Sequence, residues 1–298
     1  MTPFRTLFVL VVMLVSILSV NGQGQTSHDT AFYLVRCDDM GMSHSVNMAI
    51  EEVLDSGLPI SVSMMFACPW YQEAVEILRK HPETSVGVHL TLNAEWRNYR
   101  WGPVSGRTVV PSLVDSLGYF FPTRAALFAN NPRVSEVETE LRAQIERALN
   151  TGITIDYLDY HMSAAMQTLE LRELVERLAH EYRLGIAQYF GEHYSNITYG
   201  APIESKSDSL IGRVSQLRTG INLQVVHVGL DTPELRAMRD LNTFGPSEMS
   251  KNREGELRSL LSDGFRKALR DNNVHVITYR DLIRRVGLKN MLRPANVK

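Results

Sequence analysis

The apolar run Ala31-Phe32-Tyr33-Leu34-Val35 leads into two adjacent acids, Asp38 and Asp39, and this junction constrains the fold more than any other stretch. The run has strand character. Gly41 and Ser43 follow, and then Val46, Ala49, Ile50, Val53 and Leu54 mark one apolar face at helical spacing. Ser43 or Ser45 is placed to cap that helix, and Gly57 to end it. A buried strand that brings two acids to its carboxyl end, just before a helix, is where α/β proteins keep their chemistry. Neighbouring residues on an extended strand face opposite ways, so Asp38 and Asp39 are expected to do different jobs. One would hold a metal while the other faces a substrate or a basic partner. In the plainer alternative one acid caps the helix and the other is solvated.

The same rhythm continues. Residues 60–66 and 85–92 read as strands, with a helix from 69 to 78 between them. Further on, residues 153–161, 185–190, 223–229 and 274–279 have strand character. Residues 134–149, 168–182, 206–218 and 249–270 read as helices, the last as one long element running to 271, and a short helix starts at 280. Ser135 and Glu138 fit a capping box. Alternating strands and helices predict parallel strands with right-handed crossovers. Residues 191–205 read as loop. Residues 93–123 break the rhythm and carry Trp96 and Trp101, which would either stack on sugar rings or cover the core. No repeat or linker interrupts residues 31–298, so one α/β domain is expected there.

Arg5, the apolar run 7–18 and the small and polar residues 19–23 have the form of a secretory signal peptide over residues 1–22, followed by a tail over 23–30. The expectation is an exported protein, periplasmic or extracellular, without stable membrane insertion once the signal is cut. An uncleaved N-terminal anchor is the alternative. The formal net charge of −2 gives no basic surface for nucleic acid. Cys37 and Cys68 are the only cysteines. Two buried thiols are favoured over a disulfide, which an oxidising compartment would allow.

Four strands end in groups that bind metals or move protons: Asp38-Asp39, His89, Asp159 with His161, and His227. In a closed parallel β/α architecture such ends meet on one face. Two imidazoles and a carboxylate, with room for water, make the donor set of a catalytic divalent-metal site.

These motifs also resemble a known family. Cys37-Asp38-Asp39-Met40-Gly41-Met42-Ser43 with Val46-Asn47-Met48-Ala49-Ile50, then Val86-Gly87-Val88-His89-Leu90-Thr91-Leu92, then Tyr157-Leu158-Asp159-Tyr160-His161, then Val226-His227 and Ile277-Thr278-Tyr279-Arg280-Asp281-Leu282, are similar to the YdjC/ChbG-like carbohydrate deacetylases. The resemblance implies an irregular, incomplete (β/α) barrel with mostly parallel strands. It implies a hydrolase that removes N-acetyl groups from sugars with one divalent ion, zinc or magnesium. Carried over by position, Asp39, His89 and His161 would be the metal ligands, Asp38 the general base and His227 the acid or oxyanion-side partner. Asp159 would orient His161 or hold another group. The partner implied is a saccharide, and the resemblance allows a homodimer.

The chain departs from the family pattern after His161, where Met162-Ser163-Ala164-Ala165-Met166 stand in place of further histidines. Cys37 replaces a usual alanine, and Val228 a usual proline. Two other functions therefore stay open: a metal hydrolase of another amide or ester, and a glycan-binding relative without turnover.

Overall fold

The computed structural model describes residues 30–243 and 245–295. The signal-peptide reading of residues 1–22, and the tail up to residue 29, lie outside them. Among the described residues eight strands form one sheet: β1 (Ala31–Met40), β2 (Ser61–Met64), β3 (Ser85–Leu90), β4 (Tyr157–Tyr160), β5 (Gly185–Ile186), β6 (His193–Ser195), β7 (Gly220–Val226) and β8 (His275–Ile277). Every pairing is parallel, in the order β5-β4-β3-β2-β1-β7-β6. Among the described residues β5 and β6 do not pair, so the sheet curls into a barrel that stays open there. β8 pairs with Phe32, Tyr33 and Leu34, on the stretch of β1 that precedes its pairing with β2.

The helices are α1 (His44–Asp55), α2 (Tyr71–Lys80), α3 (Arg124–Ala129), α4 (Val134–Leu149), α5 (Leu169–Tyr182), α6 (Ile197–Gly200), α7 (Lys206–Val214), α8 (Pro233–Ala237), α9 (Met249–Leu261), α10 (Asp263–Asp271) and α11 (Tyr279–Val286). None in the described residues is long and apolar enough to cross a membrane. Ser43 caps α1 by accepting from the Val46 N–H, and Gly57 follows the helix at φ +74. Gly41, at φ +89, makes the tight turn between β1 and α1, and Asn47 ties that turn down by accepting the Gly41 N–H at 2.7 Å.

Alternation along β1 divides the core in two. Tyr33, Val35 and Cys37 pack outward in the main hydrophobic cluster. Leu34 faces inward with Tyr157, Leu223, Val225 and Tyr279, which fill the barrel interior. Arg36 and Asp38 continue the inward face and turn it polar toward the carboxyl ends of the strands.

Several boundaries differ from the sequence reading. Residues 191–205, read as loop, contain the short strand β6. The long helix over 249–270 is two helices, because Ser262 is extended (φ −67, ψ 142) and caps α10 by accepting from Phe265. The last strand stops at Ile277, since Thr278 and Asp281 form a capping box that starts α11 at Tyr279. The capping box at Ser135 and Glu138 does not form: α4 begins at Val134, so Ser135 already lies in its first turn, and Arg133 at the N-cap position gives no side-chain cap. Cys37 and Cys68 are both buried and unpaired.

The irregular segment after β3 is held by one face of α4. Gln144 exchanges two hydrogen bonds with the main chain of Thr91. Glu140 accepts from the Val104 and Ser105 N–H groups, both at 2.9 Å, and Glu136 accepts from Ser112 at 2.7 Å. These three side chains lie four residues apart, so a single buried stripe supplies the acceptors that an irregular backbone lacks.

Gly87 and Tyr157 are direct neighbours across β3 and β4. A Cβ at position 87 would lie 2.4 Å from the tyrosine ring. The tyrosine is fixed by donating to the Val62 carbonyl at 2.8 Å. Gly87→Ala should therefore destabilise the protein by about 1–3 kcal/mol through overpacking. The check is urea unfolding, in which the midpoint falls at unchanged slope; an unmoved midpoint would show that the ring yields freely.

Candidate active site

Register places most of the site. Arg36 and Asp38 are two apart on β1, so they share a face, and the guanidinium grips both carboxylate oxygens at 2.7 and 2.8 Å. His89 and Asp159 are cross-strand neighbours on β3 and β4. Their Nδ1 and Oδ2 lie 2.7 Å apart, while the other oxygen of Asp159 accepts from Arg36 at 2.8 Å. His161 is the first residue past β4, and His227 the first past β7.

Asp39 does not follow alternation. One extra residue enters β1 between Cys37 and Met40 relative to β2, and Asp39 takes φ +69. This bulge turns its side chain toward the same cavity that Asp38 lines. The expectation of opposite directions is thus corrected, although the two acids do meet different partners. Asp39 Oδ2 accepts from Arg253 at 2.7 Å. Asp39 Oδ1 is buried without a hydrogen-bond partner.

That orphaned oxygen lies 3.5 Å from His89 Nε2 and 3.4 Å from His161 Nδ1, and the two nitrogens are 3.3 Å apart. Donors bound at about 2.1 Å to one tetrahedral ion are about 3.4 Å from one another. The far nitrogen of each ring is held by a carboxylate: His89 by Asp159, and His161 Nε2 by Glu95 Oε2 at 3.0 Å. Such carboxylate–histidine pairs fix ring orientation in metal sites. Asp159 thus partners His89 and not His161. Within this network four carboxylates (Asp38, Asp39, Glu95, Asp159) face two guanidiniums (Arg36, Arg253). With neutral imidazoles the excess is two negative charges, which one divalent cation balances. The residues present therefore fit such an ion.

Titration follows the same charges. Burial would lift the Asp39 carboxyl, but Arg253 and the two histidines hold it well below the usual range. Burial likewise disfavours protonated His89, yet Asp159 beside it pushes the ring up to about 9. Burial opposes the proton on His161 as well, and Glu95 and Asp39 together push that ring up to about 10. Protons that these carboxylates favour on the rings are ones a metal must displace.

The site opens into a cavity of about 390 Å³. His227 lines it, with Nε2 at 3.9 Å from Asp38 Oδ2, too long for a hydrogen bond and short enough for one small group to bridge. Trp96 also lines it, beneath the Arg253 guanidinium at 5.7 Å from the ring centre. Trp101 does not line the cavity; it packs edge-on to His161 at 6.4 Å and donates to the Asn93 carbonyl. Met162 and Ser163, in left-handed conformations, form part of the wall.

Sequence reasoning missed Arg36, Glu95 and Arg253. Arg36 carried a signal, being two residues before Asp38 on a strand. Glu95 and Arg253 carried none: one lies in the irregular segment and the other on α9. An antiparallel bridge between Trp96 and Asp240, flanked by hydrogen bonds from Arg97 to Arg239 and from Leu241 to Glu95, sets Glu95 in place.

The comparisons with known proteins agree with the ordered motifs. A carbohydrate deacetylase of Thermoanaerobacter pseudethanolicus is 25% identical over 262 residues, covering 83% of this chain and 98% of that protein. One of Thermus thermophilus is 29% identical over 267 residues, covering 82% of this chain and 90% of its own. The crystal structure of an Enterococcus faecalis protein has the same fold, with a TM-score of 0.71 at 21% identity, covering 85% of this chain and 99% of that one. The model of the YdjC-like protein family matches residues 33–271, and the chain belongs to that family.

Proposed function

We propose that the protein is an exported, divalent-metal-dependent hydrolase that removes N-acetyl groups from amino sugars or oligosaccharides. The observation that carries this is the triangle of Asp39 Oδ1, His89 Nε2 and His161 Nδ1, all within 3.5 Å, set beside the separate acid–imidazole pair Asp38 and His227. The names of the relatives supply the substrate class. Export rests on the N-terminal sequence.

A divalent ion held by Asp39, His89 and His161 would polarise the acetamide carbonyl and make a water more acidic. Asp38 is the general base that takes the proton of the attacking water. Arg36, bound to both its oxygens, fixes the direction of its free lone pairs. His227, with Nε2 3.9 Å from Asp38 Oδ2, is the acid that gives a proton to the leaving amine, which cannot depart as an anion. Trp96, only 1% exposed with Arg253 over its ring, backs the cavity wall and does not stack on the sugar.

Three outcomes test this. Purified protein should carry about one equivalent of divalent metal by elemental analysis, and release acetate from N-acetylglucosamine oligomers. Asp38→Asn should lower release by roughly a hundredfold or more with metal content unchanged. Metal without acetate release from any such oligomer would favour hydrolysis of another bond, or glycan binding alone.

The pH dependence of the metal-free protein has a definite sign. His89 and His161 titrate higher in the fold than the ordinary 6.5. Their contribution to stability is then complete below about pH 6.5 and is lost as pH rises through 9 to 10. Chelated protein should lose melting temperature across that window, and metal uptake should release protons near neutral pH. A melting temperature flat with pH would remove the protonated histidines from the metal-free site.

A further inference from the structure

β7 ends at Val226, the last residue in register with β1. The His227 N–H has left the ladder and donates to Glu256 Oε2 at 2.6 Å. Glu256 lies on α9 and is only 2% exposed; its other oxygen accepts from the Thr198 hydroxyl. Lys206, the first residue of α7, is wholly buried, and its ammonium donates to the carbonyls of Thr198 and Tyr199. The lysine stem crosses α9 at Gly255, where a Cβ would meet its Cδ at 2.9 Å. Tyr199 stands edge-on to the His227 ring, 5.2 Å between centres, and both rings line the cavity. Glu256 and Lys206 do not line it.

Two charged side chains buried outside the cavity thus hold the wall that faces the metal ligands. Burying such groups costs more than apolar packing of the same volume, so stability alone does not account for them. What an apolar pair could not supply is an acceptor for the His227 N–H and a donor for the α6 carbonyls.

We propose that Glu256, with Lys206 behind α6, is a positioning residue that sets the His227 imidazole at its distance from Asp38 and holds Tyr199 against it. This rests on the reading of His227 as the acid. The test is the double variant Glu256→Met/Lys206→Met, which leaves no buried charge unpaired. It should fold, lower kcat for acetate release by roughly 10–100-fold, and change KM little. In a His227→Ala background the same two changes should lower kcat no further. The His227 ring signals in a proton–carbon NMR spectrum, displaced by the Tyr199 ring in the native protein, should move toward ordinary values. Glu256→Gln, the gentler change, should move them in the same direction. A folded double variant with native kcat and unmoved ring signals overturns the proposal, as does an equal loss of kcat in the His227→Ala background. If the native protein releases no acetate, the deacetylase reading falls, and the ring signals still decide the positioning role.

Discussion

The Arg36 guanidinium is the contact on which the site depends. It holds Asp38 through two parallel hydrogen bonds and Asp159 through a third, and Asp159 in turn fixes His89. One cation thereby sets the proposed base and, at one remove, a proposed metal ligand. All of these groups are buried, where an unpaired charge costs several kcal/mol. Desolvation works against the Arg36 charge, but Asp159 and Asp38 raise its pKa further, so it stays protonated. Asp159 is lowered despite burial, by Arg36 and His89. The network is rigid because no member can leave without stranding another.

Around this network the barrel has two halves. Toward the amino ends of the strands, Leu34, Leu223, Tyr157 and Tyr279 fill the interior. Toward the carboxyl ends the same inward positions carry Arg36, Asp38, His89 and Asp159. The lower half gives the upper half a firm floor: Tyr157 lies over Gly87 and reaches the Val62 carbonyl, and Gly87 is two residues from His89 on the same face. The glycine of the Gly-x-His motif is therefore a packing requirement that positions a functional residue two places on.

What was legible in the sequence was what alternation and strand ends encode. The parallel order follows from strands alternating with helices, and the meeting of polar groups on one face from strands that end in them, while the choice of Asp39, His89 and His161 as a set comes from the family resemblance. The bulge at Asp39 was not legible, because nothing in the residue names shows an aspartate in the left-handed region. Nor were Glu95 and Arg253, whose positions depend on how residues 93–123 and α9 return to the barrel mouth. The split at Ser262 was concealed by helical periodicity that continues through it. The missing cap at Ser135 shows that a capping pattern competes with others: Glu138 instead pairs with Arg142 at 3.0 Å.

Asp38 and Asp39 show how one bulge divides labour between identical side chains. Without it, alternation would send Asp39 outward among Cys37 and Val35, where a carboxylate would have no partner. With it, both acids face the cavity yet meet opposite electrostatics. Asp38 has both oxygens committed to Arg36. Asp39 commits one oxygen to Arg253 and leaves the other bare between two imidazoles. A bare buried carboxylate oxygen is costly in a folded chain, and a strained φ at a non-glycine residue adds to that cost. Both are sustained at one residue because the surrounding cations and rings over-determine its position. That pair of costs falls on the residue that, with His89 and His161, could hold a metal ion.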